Sequence, residues 1–217
     1  MIRLSDYRIA VIVLAAGQGS RMGPQPGGKL LLALEDGRPI IAHAVDGALA
    51  LAPSDLVVVV RPDTPEVGAA ALSGVKTLPP EPAQPRVQVV ANPRHAEGMA
   101  TSLAAGIAAL GDTTEAVLVL LGDMPRVSPR IIEALVAAYT GNGKPITIPL
   151  YGSAVGPPTL FAREVFPDLL HLQGEVGGRQ LLSKYPDLAQ QVPFSEQDRP
   201  GDVDTAEDYE RERTRKT

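Results

Sequence analysis

The sequence contains no cysteine and no tryptophan, and aromatic residues occupy only 4% of its 217 positions. The first absence excludes disulfides, thiolate metal sites and cysteine nucleophiles together. The scarcity of rings means that a core must be assembled from Ala, Val, Leu and Ile, and the 44% apolar content is enough to build one at this length. Three histidines, His43, His95 and His171, share no ligand spacing, which argues against a zinc site. Clustered positive charge is also missing. The formal net charge is -5, and the one basic run is Arg211, Arg213, Arg215 and Lys216, which reads as the solvated end of a helix. Nucleic-acid affinity comes mainly from clustered Lys and Arg, so no nucleic-acid partner is expected. The longest apolar stretch, Ile9 to Ala16, is too short for a bilayer. Residues 1–8 carry Arg3, Asp6 and Arg8 and show no signal peptide, so the expected location is the cytoplasm, with no membrane contact.

What is present is alternation. Ile9–Leu14, Leu56–Val60, Val87–Ala91, Val117–Leu121 and Ile146–Pro149 are short apolar runs bounded by turn residues. Continuous apolarity at that length predicts strands covered on both faces, as in a parallel sheet. Between the runs lie helical stretches at Pro39–Leu51, Thr64–Leu72, Gly98–Leu110 and Pro129–Tyr139, the last with Ser128 placed to cap it. A further helix is expected around Gly177–Leu182, and a final one at Thr205, where Asp208 completes a capping box. Alternating strand and helix implies a Rossmann-like three-layer α/β/α sandwich with a mostly parallel, mixed central sheet. The prolines at 79, 80, 82 and 85 read as a surface loop, so residues 1–217 are expected to form one domain.

The run Leu14-Ala15-Ala16-Gly17-Gln18-Gly19-Ser20-Arg21-Met22-Gly23 follows the first strand directly. Ligands of open α/β sheets bind beyond the carboxyl ends of strands, where this loop lies. Small residues at 15, 16, 17 and 19 let backbone N–H groups approach a polyphosphate, while Arg21 and Lys29 supply cations that can bind its oxygens. Two glycines alone also fit a tight turn with no ligand; two cations in the same loop favour a phosphate site. A dinucleotide fingerprint fails here, because Met22 stands where its third glycine belongs. A P-loop fails as well, because Gly28-Lys29 is followed by Leu30.

Asp123, in Gly122-Asp123-Met124-Pro125, stands just past the fourth predicted strand, a position suited to a hard cation such as Mg²⁺. Asp202 and Asp204 lie on one side of an extended segment, so either can join Asp123. Near the start of the third helix, Thr101 and Ser102 offer hydroxyls to an anion or a base edge, although simple capping also explains them.

Taken in order, L-A-A-G-x-G-x-R-M-G followed by a lysine, N-P-x-x-x-x-G-M-x-x-S-L, G-D-M-P and D-V-D-T-A-E-D resemble the MobA-like nucleotidyltransferases, in particular the molybdenum cofactor cytidylyltransferase type. The resemblance implies a nucleotide pocket formed by Leu14, Ala15, Ala16, Gly17, Gly19, Ser20, Arg21, Lys29, Asn92, Gly98, Ser102 and Gly122. It implies catalytic roles for Arg21, Lys29 and Asp123, and Mg²⁺ held by Asp123 and Asp202. Ala-Ala-Gly at 15–17 accompanies CTP in that family, whereas guanylyltransferases carry Ala-Gly-Gly. The implied acceptor is a phosphorylated small molecule, molybdopterin, and the implied protein partner is a molybdoenzyme. The chain departs from the pattern on the acceptor side, with Pro157 for a histidine, Glu175 for Asp and Gly178 for Ala. Lys29 also lies further from Gly23 than is usual.

The chemistry so implied needs no general base, since a phosphate monoester with a second pKa near ~6 is already an anionic nucleophile. Two other classes fit less of the sequence. One is a nicotinamide-dependent reductase; the other is a non-catalytic nucleotide- or cofactor-binding maturation partner of a molybdoenzyme.

Overall fold

A computed structural model describes residues 2–17, 28–73, 75, 85–175 and 179–214. Eight strands form one mixed sheet: β1 (Ile9–Ala15), β2 (Asp55–Val60), β3 (Arg86–Ala91), β4 (Ala116–Leu121), β5 (Ile146–Tyr151), β6 (Ala154–Val155), β7 (Thr159–Ala162) and β8 (Ala189–Phe194). The helices are α1 (Ile40–Ala50), α2 (Pro65–Leu72), α3 (Met99–Ala108), α4 (Pro129–Asn142), α5 (Phe166–Leu170), α6 (Arg179–Lys184) and α7 (Ala206–Thr214). Spatial order runs β3-β2-β1-β4-β7-β5-β6, with β8 paired to β5. The first four strands are mutually parallel. β7 runs antiparallel to both β4 and β5, and β8 returns parallel to β5.

Strand pleating divides the core in two. Ile9, Val11, Val13 and Ala15 join α1, α2 and α4 on one face, while Ala10, Ile12 and Ala16 join α3 and α5 on the other. Both faces of β1 are therefore covered, and its first five residues are fully buried. The architecture is the expected three-layer α/β/α sandwich.

The departures lie at the margins. The third apolar run reads as a doubly covered strand, but β3 is only half-buried and forms the sheet edge. Its polar residues use that position: Arg86 binds Asp55 at 2.8 Å, and Gln88 donates to the Ala109 carbonyl at 3.1 Å. Ser128 does precede α4, yet its hydroxyl makes no capping bond. The α7 capping box forms fully, with Asp208 N–H donating to Thr205 Oγ1 at 3.1 Å and Thr205 N–H donating to Asp208 Oδ2 at 2.9 Å. No helix among the described residues is long and apolar enough to cross a membrane.

Candidate active site

After β1 the chain builds β2 and β3 on one side, then returns to place β4 on the other side of β1. The gap between the ends of β1 and β4 is thus a topological switch point, where open α/β sheets open a crevice. Leu14 to Gly17 leave from one lip and Gly122-Asp123 from the other. The lips are joined directly, because Gly122 N–H donates to the Leu14 carbonyl at 2.9 Å. A side chain at Gly122 would come within 2.9 Å of Ile41 Cδ1 and 3.2 Å of both Ala15 Cβ and the Leu14 carbonyl oxygen, so glycine lets the Asp123 loop sit this close to β1 without displacing its neighbours. No described residue crowds Gly17, where an added Cβ would meet nothing within 4 Å.

Lys29 enters the crevice from a 3-10 turn, Gly28–Leu31. Its ammonium lies 2.7 Å from Asp123 Oδ2 and 2.5 Å from Asp204 Oδ1, with only 11% of the side chain exposed. Burial pulls the Lys29 pKa down, but the charges and hydrogen bonds of Asp123 and Asp204 outweigh it and hold the group above its ordinary value. Burial pushes the Asp123 carboxyl up; Lys29 opposes that rise, and the charges of Asp204 and Asp202 add to it. Asp123 Oδ1 is shut off from solvent and has no hydrogen-bond partner among the described residues.

Two carboxylates thus converge on one positive charge. Among the described residues no group of three or more His, Cys, Asp or Glu converges to form an all-protein cage. A paired carboxylate with an orphaned oxygen suits a hard cation of the Mg²⁺ class, which takes its other ligands from phosphates and water. The donor set and the unpartnered Oδ1 fit such an ion.

The carboxylate that joins Asp123 through Lys29 is Asp204, not Asp202. Val203 explains the choice: it is fully buried, and its N–H donates to the Asp123 carbonyl at 3.1 Å. That anchor leaves the preceding Asp202 exposed and turns Asp204 toward Lys29. Alternation places 202 and 204 on one side of the strand but carries no information about this tertiary anchor.

Asn92 is 2% exposed, and its amide donates to Thr101 Oγ1 at 2.9 Å and Ser102 Oγ at 3.0 Å while accepting from Arg94 N–H at 2.9 Å. The Asn92 amide and the Thr101 and Ser102 hydroxyls therefore knit the loop into α3. Gly98, at a φ of 113°, packs against Gly174, whose carbonyl accepts from Ala100 N–H at 3.0 Å. Two segments far apart in sequence, 92–102 and 174–175, are thereby brought together. Gly19, Ser20 and Arg21 lie outside the described residues.

The MobA-like NTP transferase domain model matches residues 11–190, which is most of the chain. The chain belongs to that family. It therefore carries a nucleotidyltransferase domain, which decides between a transferase and a nicotinamide-dependent reductase. Over 145 residues it is 34% identical to the bifunctional protein GlmU of Micrococcus luteus, a match covering 64% of this chain and 27% of that protein. The chain spans less than a third of the length of the GlmU proteins it matches. Among solved structures, Rv0371c of Mycobacterium tuberculosis superposes with a TM-score of 0.72 at 29% identity, covering 94% of this chain and 96% of that one. A nucleotidyl transferase from Methanothermobacter superposes at 0.69 with 26% identity, covering 94% and 95%.

Proposed function

We propose that the protein transfers a nucleoside monophosphate from a nucleoside triphosphate to a phosphorylated small molecule and releases pyrophosphate. CTP is the proposed donor and molybdopterin the proposed acceptor, with a molybdoenzyme as the eventual recipient of the product. The observation that carries the reaction class is the convergence of Lys29 on Asp123 and Asp204 at the β1–β4 switch point. The donor base rests on Ala15-Ala16-Gly17 and the acceptor on the family resemblance.

Asp123 and Asp204 would hold Mg²⁺, which when bound neutralises charge on the phosphates. Lys29 then exchanges its carboxylate partners for phosphate oxygens, and together with Arg21 it offsets the charge growing on the departing pyrophosphate. Backbone N–H groups of the loop that begins at Leu14, Ala15, Ala16 and Gly17 and continues through Gly19 and Ser20 cradle the triphosphate. Gly122 keeps Asp123 against that loop. Asn92 and Ser102 hold the shape of the segment leading to Gly98, which lines the base side of the pocket. The acceptor phosphate arrives already anionic, so positioning and electrostatics suffice.

The test is pyrophosphate release from CTP, GTP, ATP or UTP in the presence of molybdopterin and Mg²⁺. Release with CTP alone supports the full proposal. Release with another triphosphate replaces the donor, and CTP binding without release points to a nucleotide-binding maturation partner.

A further inference from the structure

The C-terminal helix α7 has an unusual composition for a docked element. Its sequence, Ala-Glu-Asp-Tyr-Glu-Arg-Glu-Arg-Thr, offers one large apolar residue, Tyr209, and so lacks the stripe by which helices ordinarily attach to a core. Yet Glu212 on this helix is 1% exposed. Tyr209 packs against the core, and the polar contacts of the helix run to the three loops that deliver Lys29, Asp123 and Asp204.

Tyr209 donates its hydroxyl to the Ala33 carbonyl at 2.6 Å, four residues beyond Lys29 in the same loop. Glu212 Oε2 lies 3.9 Å from Arg126 Nε, three residues beyond Asp123. The other Glu212 oxygen lies under Gly201, where an added Cβ would meet it at 2.8 Å, so the 201–204 segment rests directly on this carboxylate. Asp208, at the helix start, accepts from Asp204 N–H at 3.2 Å. Tyr209 and Glu212 are three residues apart and share one face of the helix.

We propose that Tyr209 and Glu212 are positioning residues: α7 clamps the Lys29, Asp123 and Asp204 loops in register and so sets the spacing of the divalent-cation site. This rests on the metal reading given above. Groups that orient metal-binding carboxylates from behind commonly change metal affinity by about tenfold or more when removed. Tyr209→Phe deletes one hydrogen bond, and Glu212→Gln deletes the charge while keeping the shape. Glu210→Ala is the control: Glu210 pairs with Arg213 on the exposed side of the same helix.

The experiment uses the full chain with Mn²⁺ alone as probe, following free Mn²⁺ by electron paramagnetic resonance at 25 °C. Circular dichroism establishes that each variant is folded at that temperature. Tyr209→Phe and Glu212→Gln are expected to bind Mn²⁺ more weakly than wild type by about tenfold or more, with Glu210→Ala unchanged. Unchanged affinity in folded Tyr209→Phe and Glu212→Gln would make α7 a purely structural element and overturn the inference. If Glu212→Gln does not fold, Tyr209→Phe decides alone. A wild-type protein that binds no Mn²⁺ overturns the metal reading itself, and this inference with it.

Discussion

At the scale of residues, the centre of the site is a charge arrangement with two possible counter-ions. Lys29 sits between Asp123 and Asp204, the place a divalent cation would claim. Two carboxylates that converge without a cation repel each other in a partly buried setting, so the lysine keeps the site assembled before ligands arrive. Lys29→Met is therefore expected to act in opposite directions on two measurements. Turnover should fall about 10²-fold or more, because a cation on the leaving pyrophosphate is lost. Mn²⁺ affinity without nucleotide should rise, because the resident competitor is gone. A variant that binds Mn²⁺ no better than wild type, measured by titration calorimetry, would contradict the competition. Asp123 was legible in the sequence because it falls just past a strand, and Lys29 because it is a second cation in the glycine-rich loop that carries Arg21. The choice of Asp204 over Asp202 was not, since the Val203-to-Asp123 backbone bond that makes it is a contact between distant segments.

At the scale of elements, the strands and helices read most easily were those with long apolar runs and both faces covered. β7 and β8 escaped that reading for physical reasons. β7 is four residues directly after a Gly/Pro-rich stretch, and β8, Ala-Gln-Gln-Val-Pro-Phe, mixes polar residues and a proline. Their place comes from pairing with β5 rather than from a local pattern. α5 is only five residues long, too short for helical periodicity to show. The cap of α7, by contrast, is written in Thr205 and Asp208. Hydrogen bonds from Thr205, followed by those of Arg211 and Asp204, outweigh desolvation and hold the Asp208 carboxyl down at about 2. A carboxyl depressed in the folded state contributes stability that is complete above its unfolded value near ~3.9 and is lost as the pH falls through the folded one. Asp208→Asn should accordingly lower the urea midpoint at pH 6, and the gap to wild type should narrow as the pH approaches about 2. A gap that stays constant across that range would exclude the ionised cap. Thr205→Ala, which removes both bonds made by its hydroxyl, should cost about 1 kcal/mol at pH 6 and less as the pH approaches about 2.

At the scale of the whole molecule, the order of strands is what makes a site. The chain leaves β1 in one direction and returns to its other side with β4, and that reversal lays the Leu14–Gly17 loop beside Gly122-Asp123. Sequence alone supplied the alternation, the order of motifs and a final capped helix, but not the anchoring of that helix through Tyr209 and Glu212 on the loops of the site. The central claim is that this switch point takes a triphosphate together with a divalent cation on Asp123 and Asp204. Thermal denaturation of wild type, Asp123→Asn and Asp204→Asn, each with CTP in the presence and absence of Mg²⁺, tests it most directly, because a ligand that binds only the folded chain must raise the melting temperature. The account predicts a CTP-dependent rise in wild type that needs Mg²⁺ and is lost in both variants. A rise of equal size without Mg²⁺, or one retained in both variants, would contradict it.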